Sequence, residues 1–534
     1  MENTVHVYPE GCYFKSLEDI KGKHVTIMGL GLNGGGEASV KFFLRHGAYV
    51  TVTDMKSRQE LEPTILSIMN DPSLDRSRLT YVLGQHRMED FSAADCVIKT
   101  PGVKFEGNQY LEAAKAVETD LSVFLRFCKS PLIAVTGSKG KSSTASAIHY
   151  GLQKSGYSAF LGGNITVSPL SFLEETDETT PVVLELSSWQ LRDLRGRKLL
   201  KPKISIITKI LPDHQNWYGD MDSYVDDKRL IYADQGAGDF TILDADEDGY
   251  LSECATPKKG CRCWGDDFAR ETGGRVLRYS QTGLPRDTWG AFLTERNGMV
   301  TGWAKLPEDL RSRQAMQHHE NQEQMLKDLL VPGPIGRINA LKAALALHLM
   351  RINPEQIRNV LAEWPGLPHR LEACHTWKNA RDGRMLTFYN DSCSTVPEST
   401  AVASQSFKRE IILIAGGTDK GLDFHPLART LSGEDGSKYQ PRQLYLLEGS
   451  GTDKLIPLLD LGRVRYMGPY PSLKDLLMEL KERLSAPDAQ QVFGSVGRTP
   501  LPVVFSPGCT SFGMFSNEFD RGDKFKAAVK DVFI

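Results

Sequence analysis

The stretch that most constrains this chain is Ile133-Ala134-Val135-Thr136-Gly137-Ser138-Lys139-Gly140-Lys141-Ser142-Ser143. An apolar run leads into G-x-x-G-K-S, and a helical pattern (Ala145, Ile148, Leu152) follows. Strand, glycine loop and helix in that order are the context a phosphate loop requires. Gly137 and Gly140 let the backbone curl so that its N–H groups face an anion, from Ser138 and Lys139 through Ser143. The new helix adds the positive end of its dipole. Lys141 then reaches the terminal phosphates, and the Ser142 hydroxyl can ligate Mg²⁺. Motif and context agree, against a glycine turn that merely joins a strand to a helix. The stretch predicts a nucleoside triphosphate site.

At 534 residues the chain is too long for one core and predicts about three domains. Hydrophobic residues at 40% and charged residues at 25% are ordinary for a soluble α/β protein. A formal net charge of −3 gives no basic field for nucleic acid. Met1-Glu2-Asn3-Thr4 opens no cationic segment followed by an apolar one, so no signal peptide is expected. No apolar run approaches the ~20 residues that span a bilayer, so no membrane partner is expected either. Nine scattered cysteines, an odd number, suit a reducing interior. Cys261-Arg262-Cys263 near His318-His319 lacks the spacing of a zinc site. These features together predict a cytoplasmic, multidomain α/β protein, taken as a monomer.

Residues 1–119 read as a first domain. Lys23 to Met28 is a strand, Gly29-Leu30-Gly31-Leu32-Asn33-Gly34 is G-x-G-x-x-G, and Ala38 to Leu44 continues as a helix. A second strand, Ala48 to Thr53, ends in Asp54, 25 residues after Gly29. That is the dinucleotide-binding layout, acid included. An NAD-dependent oxidoreductase is therefore one reading. The same turn binds any diphosphate, however, and a Rossmann-like unit without a ligand is a third reading. Val97 to Lys99 reads as a later strand that ends in the turn Thr100-Pro101-Gly102 at the same sheet edge.

Residues 120–366 read as a central domain. Leu161-Gly162-Gly163-Asn164-Ile165 is a glycine turn presenting an amide, and Pro181 to Leu186 places Glu185 in an apolar strand. A buried, unpaired carboxylate is costly, so Glu185 either meets a cation or faces water from a strand edge. A strand at Ile204 to Thr208 leads to Asp213-His214, and Tyr224 to Tyr232 reads as a helix on which Lys228 would be exposed. Strands follow from Phe240, including a hairpin from Ala291 to Ala304 around Asn297-Gly298. Glu308 to Asp328 reads as a polar surface insertion.

T-G-x-x-G-K-S, G-G-N-I, E-L-S-S-x-Q-L, and D-H followed fourteen residues later by D-K-R-x-I-Y resemble, in order and register, the Mur ligase family. These are ATP-dependent ligases that attach amino acids to UDP-N-acetylmuramic acid, and the N-terminal Rossmann-like unit fits their UDP-binding domain. The resemblance covers nearly the whole chain. It is strongest to the branch that adds D-glutamate to UDP-N-acetylmuramoyl-L-alanine, and those two molecules are the implied substrates, with ATP and Mg²⁺. The implied fold is three α/β domains: Rossmann-like, central phosphate-loop ATPase-like, and a second Rossmann-like.

The resemblance also implies roles. Lys141 and Ser142 would hold ATP and Mg²⁺. Glu185 and His214 would bind metal, as would Lys228 once carbamylated, because a carbamate supplies the hard oxygen that Mg²⁺ prefers. Gly31, Leu32, Asn33, Asp54 and Asn164 would face the UDP substrate. Gly336 to Leu345 resumes the family pattern with Asn339 at the adenine, although the usual His-Asn pair ahead of it stands as Ile335-Gly336.

Residues 367–534 show four strand-then-turn units, starting at Leu386, Ile411, Leu444 and Val503, which predict a second Rossmann-like sheet. Gly366-Leu367-Pro368-His369-Arg370 resembles the family's hinge, with Arg370 reaching ATP phosphate and Asp391 binding ribose. Gly416 to Lys420 and Ser506 to Phe512 match the loops that hold the amino acid, chiefly through Lys420, Ser511 and Phe512. One departure is Asp391-Ser392-Cys393, where a lysine usually occupies the third position. A thiol cannot neutralise a carboxylate as an ammonium does. The alternatives left open are another amino-acid-adding ligase of the family and a nucleotide-binding relic without catalysis.

Overall fold

The computed structural model describes residues 5–32, 34–165, 167–246, 263–296, 299–318, 321–494, 496–497 and 499–534. The side chains of residues 215, 296 and 299 are outside that description. Three expectations therefore fall on undescribed residues: Asn33, the Asn297-Gly298 turn, and Cys261 with His319.

Among the described residues, three sheets organise the chain. The first holds β1 (His24–Met28), β2 (Tyr49–Asp54), β3 (Leu79–Leu83), β4 (Cys96–Lys99) and β5 (Val117–Glu118). Its order is β3-β2-β1-β4-β5, with every neighbour parallel. Parallel strands connected by helices are buried on both faces, which is why their sequences read as unbroken apolar runs rather than alternations.

The second sheet has nine strands: β6 (Leu132–Thr136), β7 (Phe160–Gly163), β8 (Val182–Glu185), β9 (Ile204–Ile207), β10 (Phe240–Asp244), β11 (Arg275–Ser280), β12 (Gly290–Arg296), β13 (Met299–Lys305) and β14 (Gln322–Leu326). The order is β14-β13-β12-β11-β10-β9-β6-β8-β7. The sheet is parallel from β7 to β12 and antiparallel at β12-β13-β14. The segment read as a polar insertion, 308–328, is thus corrected. It supplies the edge strand β14, and Ala315, Met325 and Leu326 are buried. Its polar composition reflects an edge strand with one solvated face, which alternates and carries no long apolar run.

The third sheet comprises β15 (Glu372–Lys378), β16 (Met385–Asn390), β17 (Ile412–Gly416), β18 (Gln443–Leu447), β19 (Met467–Tyr470) and β20 (Leu501–Phe505), in the order β15-β16-β20-β17-β18-β19. Only β15 is antiparallel to its neighbour. Alternate residues serve opposite cores. Phe388, Ile412, Ile414, Val503 and Phe505 pack on one face, and Tyr389, Leu413, Ala415 and Val504 on the other.

By compactness the chain forms two units, Met1–Lys327 with Ile338–Leu361, and Asp328–Arg337 with Ala362–Ile534. Within the first unit a single apolar core runs through both sheets, joining Val25, Val50 and Ile98 to Ala134, Val182 and Leu184. Among the described residues no helix is long and apolar enough to cross a membrane.

Candidate active site

The phosphate loop follows β6. Gly137 has φ 137° and Gly140 has φ 92°, and the helix Lys141–Lys154 starts directly after Gly140. Both glycines are required. A Cβ on Gly137 would lie 2.0 Å from Thr208 Oγ1, and one on Gly140 would lie 2.6 Å from Asn339 Oδ1. The loop is held from beneath: Ser138 N–H donates to Lys209 O (2.9 Å), and Ser138 Oγ donates to Leu211 O (2.9 Å) and meets Tyr224 OH (3.1 Å). Lys139 is exposed, with its ammonium 4.0 Å from Asp213, and Ser142 and Ser143 are half-buried in the first turn of the helix.

Two lysines converge on this loop. Lys141 Nζ donates to Gly137 O (2.9 Å) and Ser138 O (3.1 Å), while Lys228 Nζ donates to the same Gly137 O (3.0 Å). Lys228 is 1% exposed, which corrects the exposed-lysine expectation. The turn inward comes from its neighbour. Asp227 Oδ1 accepts from Arg195 (2.7 Å) and its Oδ2 lies 3.5 Å from Arg192, so the helix Met221–Arg229 docks with Lys228 toward the loop. The ammonium sits 4.5 Å over the Tyr224 ring. Burial, reinforced by the Lys141 charge, pushes the Lys228 pKa well below its usual value. Burial also lowers Lys141, against the opposing pull of Glu185. A neutral amine is the form that reacts with CO₂, because only it has a free lone pair.

Pairing in register with Val135 sets Glu185 at the carboxyl end of β8 beside the loop. It is 2% exposed, so the water-facing alternative does not hold. Glu185 Oε1 accepts from Asn164 Nδ2 (3.1 Å), and among the described residues Oε2 has no partner. The expected cation is not in contact as an ion pair among the described residues; Lys141 acts on Glu185 only at a distance. An orphaned carboxylate oxygen in a buried site beside a phosphate loop fits a hard divalent cation. Among the described residues no group of three or more His, Cys, Asp and Glu side chains could hold a metal. His214 adopts φ 51°, a left-handed conformation rare outside glycine, with its ring 5.0 Å from Trp189.

In the first sheet, Asp54 holds the glycine turn. Its Oδ2 accepts from Leu30 N–H (2.8 Å) and Gly31 N–H (3.1 Å), and its Oδ1 from Lys56 N–H (2.9 Å). Leu32 is exposed beyond it, and nothing lies within 4 Å of a Cβ on Gly31.

In the second unit, Arg370 is exposed between His369 (φ 62°) and Leu371 (φ 44°). Asp391 is buried and accepts from Ser394 Oγ (2.6 Å), Ser506 Oγ (2.7 Å) and Leu371 N–H (3.1 Å); burial pushes its pKa up to about 6. The two loops assigned to the amino acid meet where Thr510 N–H donates to Thr418 O (3.1 Å). Lys420 and Phe512 are exposed there and Ser511 is buried. Asp419 is bonded to Lys454, which helps hold its carboxyl at about 2.

Sequence reasoning missed two groups, Arg521 and Lys342. Arg521, fully buried, donates to Ser392 Oγ (3.0 Å), Ser392 O (2.7 Å), Cys509 O (2.9 Å) and Thr510 O (3.0 Å), tying the Asp391-Ser392-Cys393 turn to the last loop. Asn339, expected at the adenine, backs Gly140, and among the described residues its Nδ2 has no partner. Lys342, one turn further, is buried 4.9 Å over the Tyr279 ring, and burial lowers it to about 7. The usable signal was two polar residues in the otherwise apolar run Ile338 to Leu347.

Residues 135–281 match the Mur ligase middle domain, and residues 23–121 match the MurD-like Mur ligase N-terminal domain. The chain is 38% identical to the UDP-N-acetylmuramoylalanine--D-glutamate ligase of Treponema pallidum, over 96% of this chain and 98% of that one. It is 31% identical to the enzyme of the same name from Roseiflexus, over 96% and 99%. The chain belongs to the Mur ligase family. Solved Mur ligases share its fold. The UDP-N-acetylmuramate-alanine ligase MurC of Thermotoga maritima superposes with a TM-score of 0.50 at 17% identity, over 95% of this chain and 99% of that one. MurF of Acinetobacter baumannii gives 0.52 at 12% identity, over 90% and 91%. As a Mur ligase the chain is an ATP-dependent, amide-bond-forming enzyme of peptidoglycan precursor synthesis.

Proposed function

We propose that this Mur ligase joins D-glutamate to UDP-N-acetylmuramoyl-L-alanine. The two relatives reported above are named for that reaction. The observation that carries the chemistry is the convergence of Lys141, Lys228 and the orphaned Glu185 oxygen on one glycine loop. ATP transfers its γ-phosphoryl to the substrate carboxylate, giving an acyl phosphate and ADP. The D-glutamate amine then attacks the acyl carbon, phosphate leaves, and the nitrogen loses its proton as the amide forms.

Gly137 to Ser143 orient the triphosphate, and Lys141 exchanges its two loop carbonyls for phosphate oxygens. Glu185, His214, Ser142 and Lys228 as its carbamate would hold Mg²⁺, which when bound offsets the charge developing on the transferring phosphoryl group. Asn164 fixes Glu185 and faces the substrate carboxylate. Asn339, Arg370 and Asp391 serve ATP. Gly31, Leu32, Asn33 and Asp54 serve the UDP moiety, and Lys420, Ser511 and Phe512 serve D-glutamate. The acid in the amino-acid loops, Asp419, is committed to Lys454, which favours a dicarboxylic over a dibasic substrate.

The same reading divides labour at residues 1–119, 120–366 and 367–534. It places the protein in the cytoplasm as a monomer; its seven described cysteines, all free, suit a reducing compartment. Coupled phosphate release with UDP-N-acetylmuramoyl-L-alanine and a panel of amino acids tests the assignment. D-glutamate alone should support turnover, and turnover with a neutral or basic amino acid instead would overturn it.

A further inference from the structure

The third sheet carries a second constellation at the end opposite its substrate loops. The loops after β16, β17 and β20 hold Asp391, Gly416 to Lys420 and Ser506 to Phe512 at the carboxyl ends of the strands. At the amino ends of adjacent strands stand Arg384 before β16, Thr499 before β20, Arg409 and Glu410 before β17, and Arg442 before β18. The topology thus aligns arginines at three of four neighbouring strand entries. They line one open cavity of about 220 Å³, with Phe493 and Gly494 on its wall.

The charges there do not cancel. Arg384 is 3% exposed; its Nε reaches Asp382 (3.4 Å) and its terminal nitrogens donate to Phe493 O (2.9 Å) and Gly494 O (2.8 Å). Arg442 is paired with Glu410. Arg409 meets no carboxylate among the described residues. Among those residues it donates once, to Pro500 O (2.6 Å), and burial lowers its pKa. The cavity therefore keeps one uncompensated guanidinium with unspent N–H donors, beside two more held rigidly in place. Planar forks of this kind match the oxygens of phosphate. The volume admits a phosphate group and part of what it is attached to.

We propose that this cavity is a binding site for a phosphate-type oxyanion, free or as a monoester, separate from the ligase site. Arg409 and Arg442 are its recognising groups, and Arg384 is the buried support that fixes the wall. The site stands on this sheet edge alone and does not depend on which amino acid the enzyme ligates.

The test is phenylglyoxal modification of the full-length protein, read arginine by arginine by peptide mass spectrometry. Chloride, inorganic phosphate, AMP and adenosine are compared at matched ionic strength. Phosphate should slow modification of Arg409 and Arg442 saturably, by about tenfold, as expected for loss of a charge-assisted contact. Protection by phosphate alone assigns the free ion, and tighter protection by AMP assigns a nucleotide monoester. No protection by either, or equal protection by adenosine, overturns the proposal. In Arg409→Gln the phosphate needed to protect Arg442 should rise about tenfold; an unchanged midpoint would also overturn it. Should that variant not fold, protection in the native protein still decides.

Discussion

Gly140 and Gly156 have almost the same backbone conformation, φ 92° and 93°, and entirely different surroundings. A Cβ on Gly140 would lie 2.6 Å from Asn339 Oδ1, and one on Gly156 would have nothing within 4 Å. Replacing either by alanine forces an L residue into the left-handed region, at about 1–2 kcal/mol. Gly156→Ala should cost that much and no more. Gly140→Ala must in addition displace the buried Asn339 amide from behind the loop, where Thr144 Oγ1 is 3.5 Å from its oxygen. Leaving buried polar groups unsatisfied adds about 1–3 kcal/mol. The total is about 2–5 kcal/mol, placed at the anion-facing amides. Because about 1.4 kcal/mol is tenfold in affinity, ATP binding should weaken at least about tenfold in Gly140→Ala. In Gly156→Ala it should stay native. Thermal unfolding of both variants, with calorimetric titration of Mg·ATP, separates the two contributions. Equal losses of stability, or native ATP affinity in Gly140→Ala, would refute the argument that Asn339 braces the phosphate loop.

Other consequences can be checked alongside. Lys228→Ala should be nearly inactive and partly rescued by short carboxylic acids that replace the carbamate oxygens; an active, unrescued variant, or a bare Lys228 in a crystal with Mg·ATP, would count against carbamylation. Asp54→Ala removes the acceptor of two N–H groups of the glycine turn, those of Leu30 and Gly31, so the KM for the UDP substrate should rise far more than that for ATP, and equal rises would remove the separate-site assignment. Cys393→Lys should lower the D-glutamate KM by restoring an ammonium where burial keeps a thiol protonated; an unchanged or higher KM would overturn that account of Cys393. Lys342 is held at about 7 in the folded protein against an ordinary 10.5, so between those values the unfolded chain binds the extra proton and stability rises with pH. Lys342→Met should therefore raise the unfolding temperature most below pH 7 and progressively less toward pH 10, and a pH-independent difference would exclude burial of the charge as the cause.

The phosphate loop was legible from the residues alone, because a strand, two glycines, Lys141 and Ser142 are contiguous and their chemistry is local. So were the parallel strands, whose burial on both faces leaves continuous apolar runs, and the motif order that resembles the Mur ligases. What the residues in order could not decide were properties that arise between distant segments. Lys228 reads as a surface lysine until Asp227 is seen anchored to Arg192 and Arg195, some thirty residues away in sequence. Glu185 became an orphaned carboxylate only when β8 paired with β6 in a register that set it beside Val135, at the entry to the loop. The segment 308–328 reads as polar surface because an edge strand needs only one apolar face. Arg384, Arg409 and Arg442 carry no motif at all. Only the strand order β16-β20-β17-β18 brings them to one cavity, because adjacency in a parallel sheet is set by crossover connections and not by neighbours in the chain.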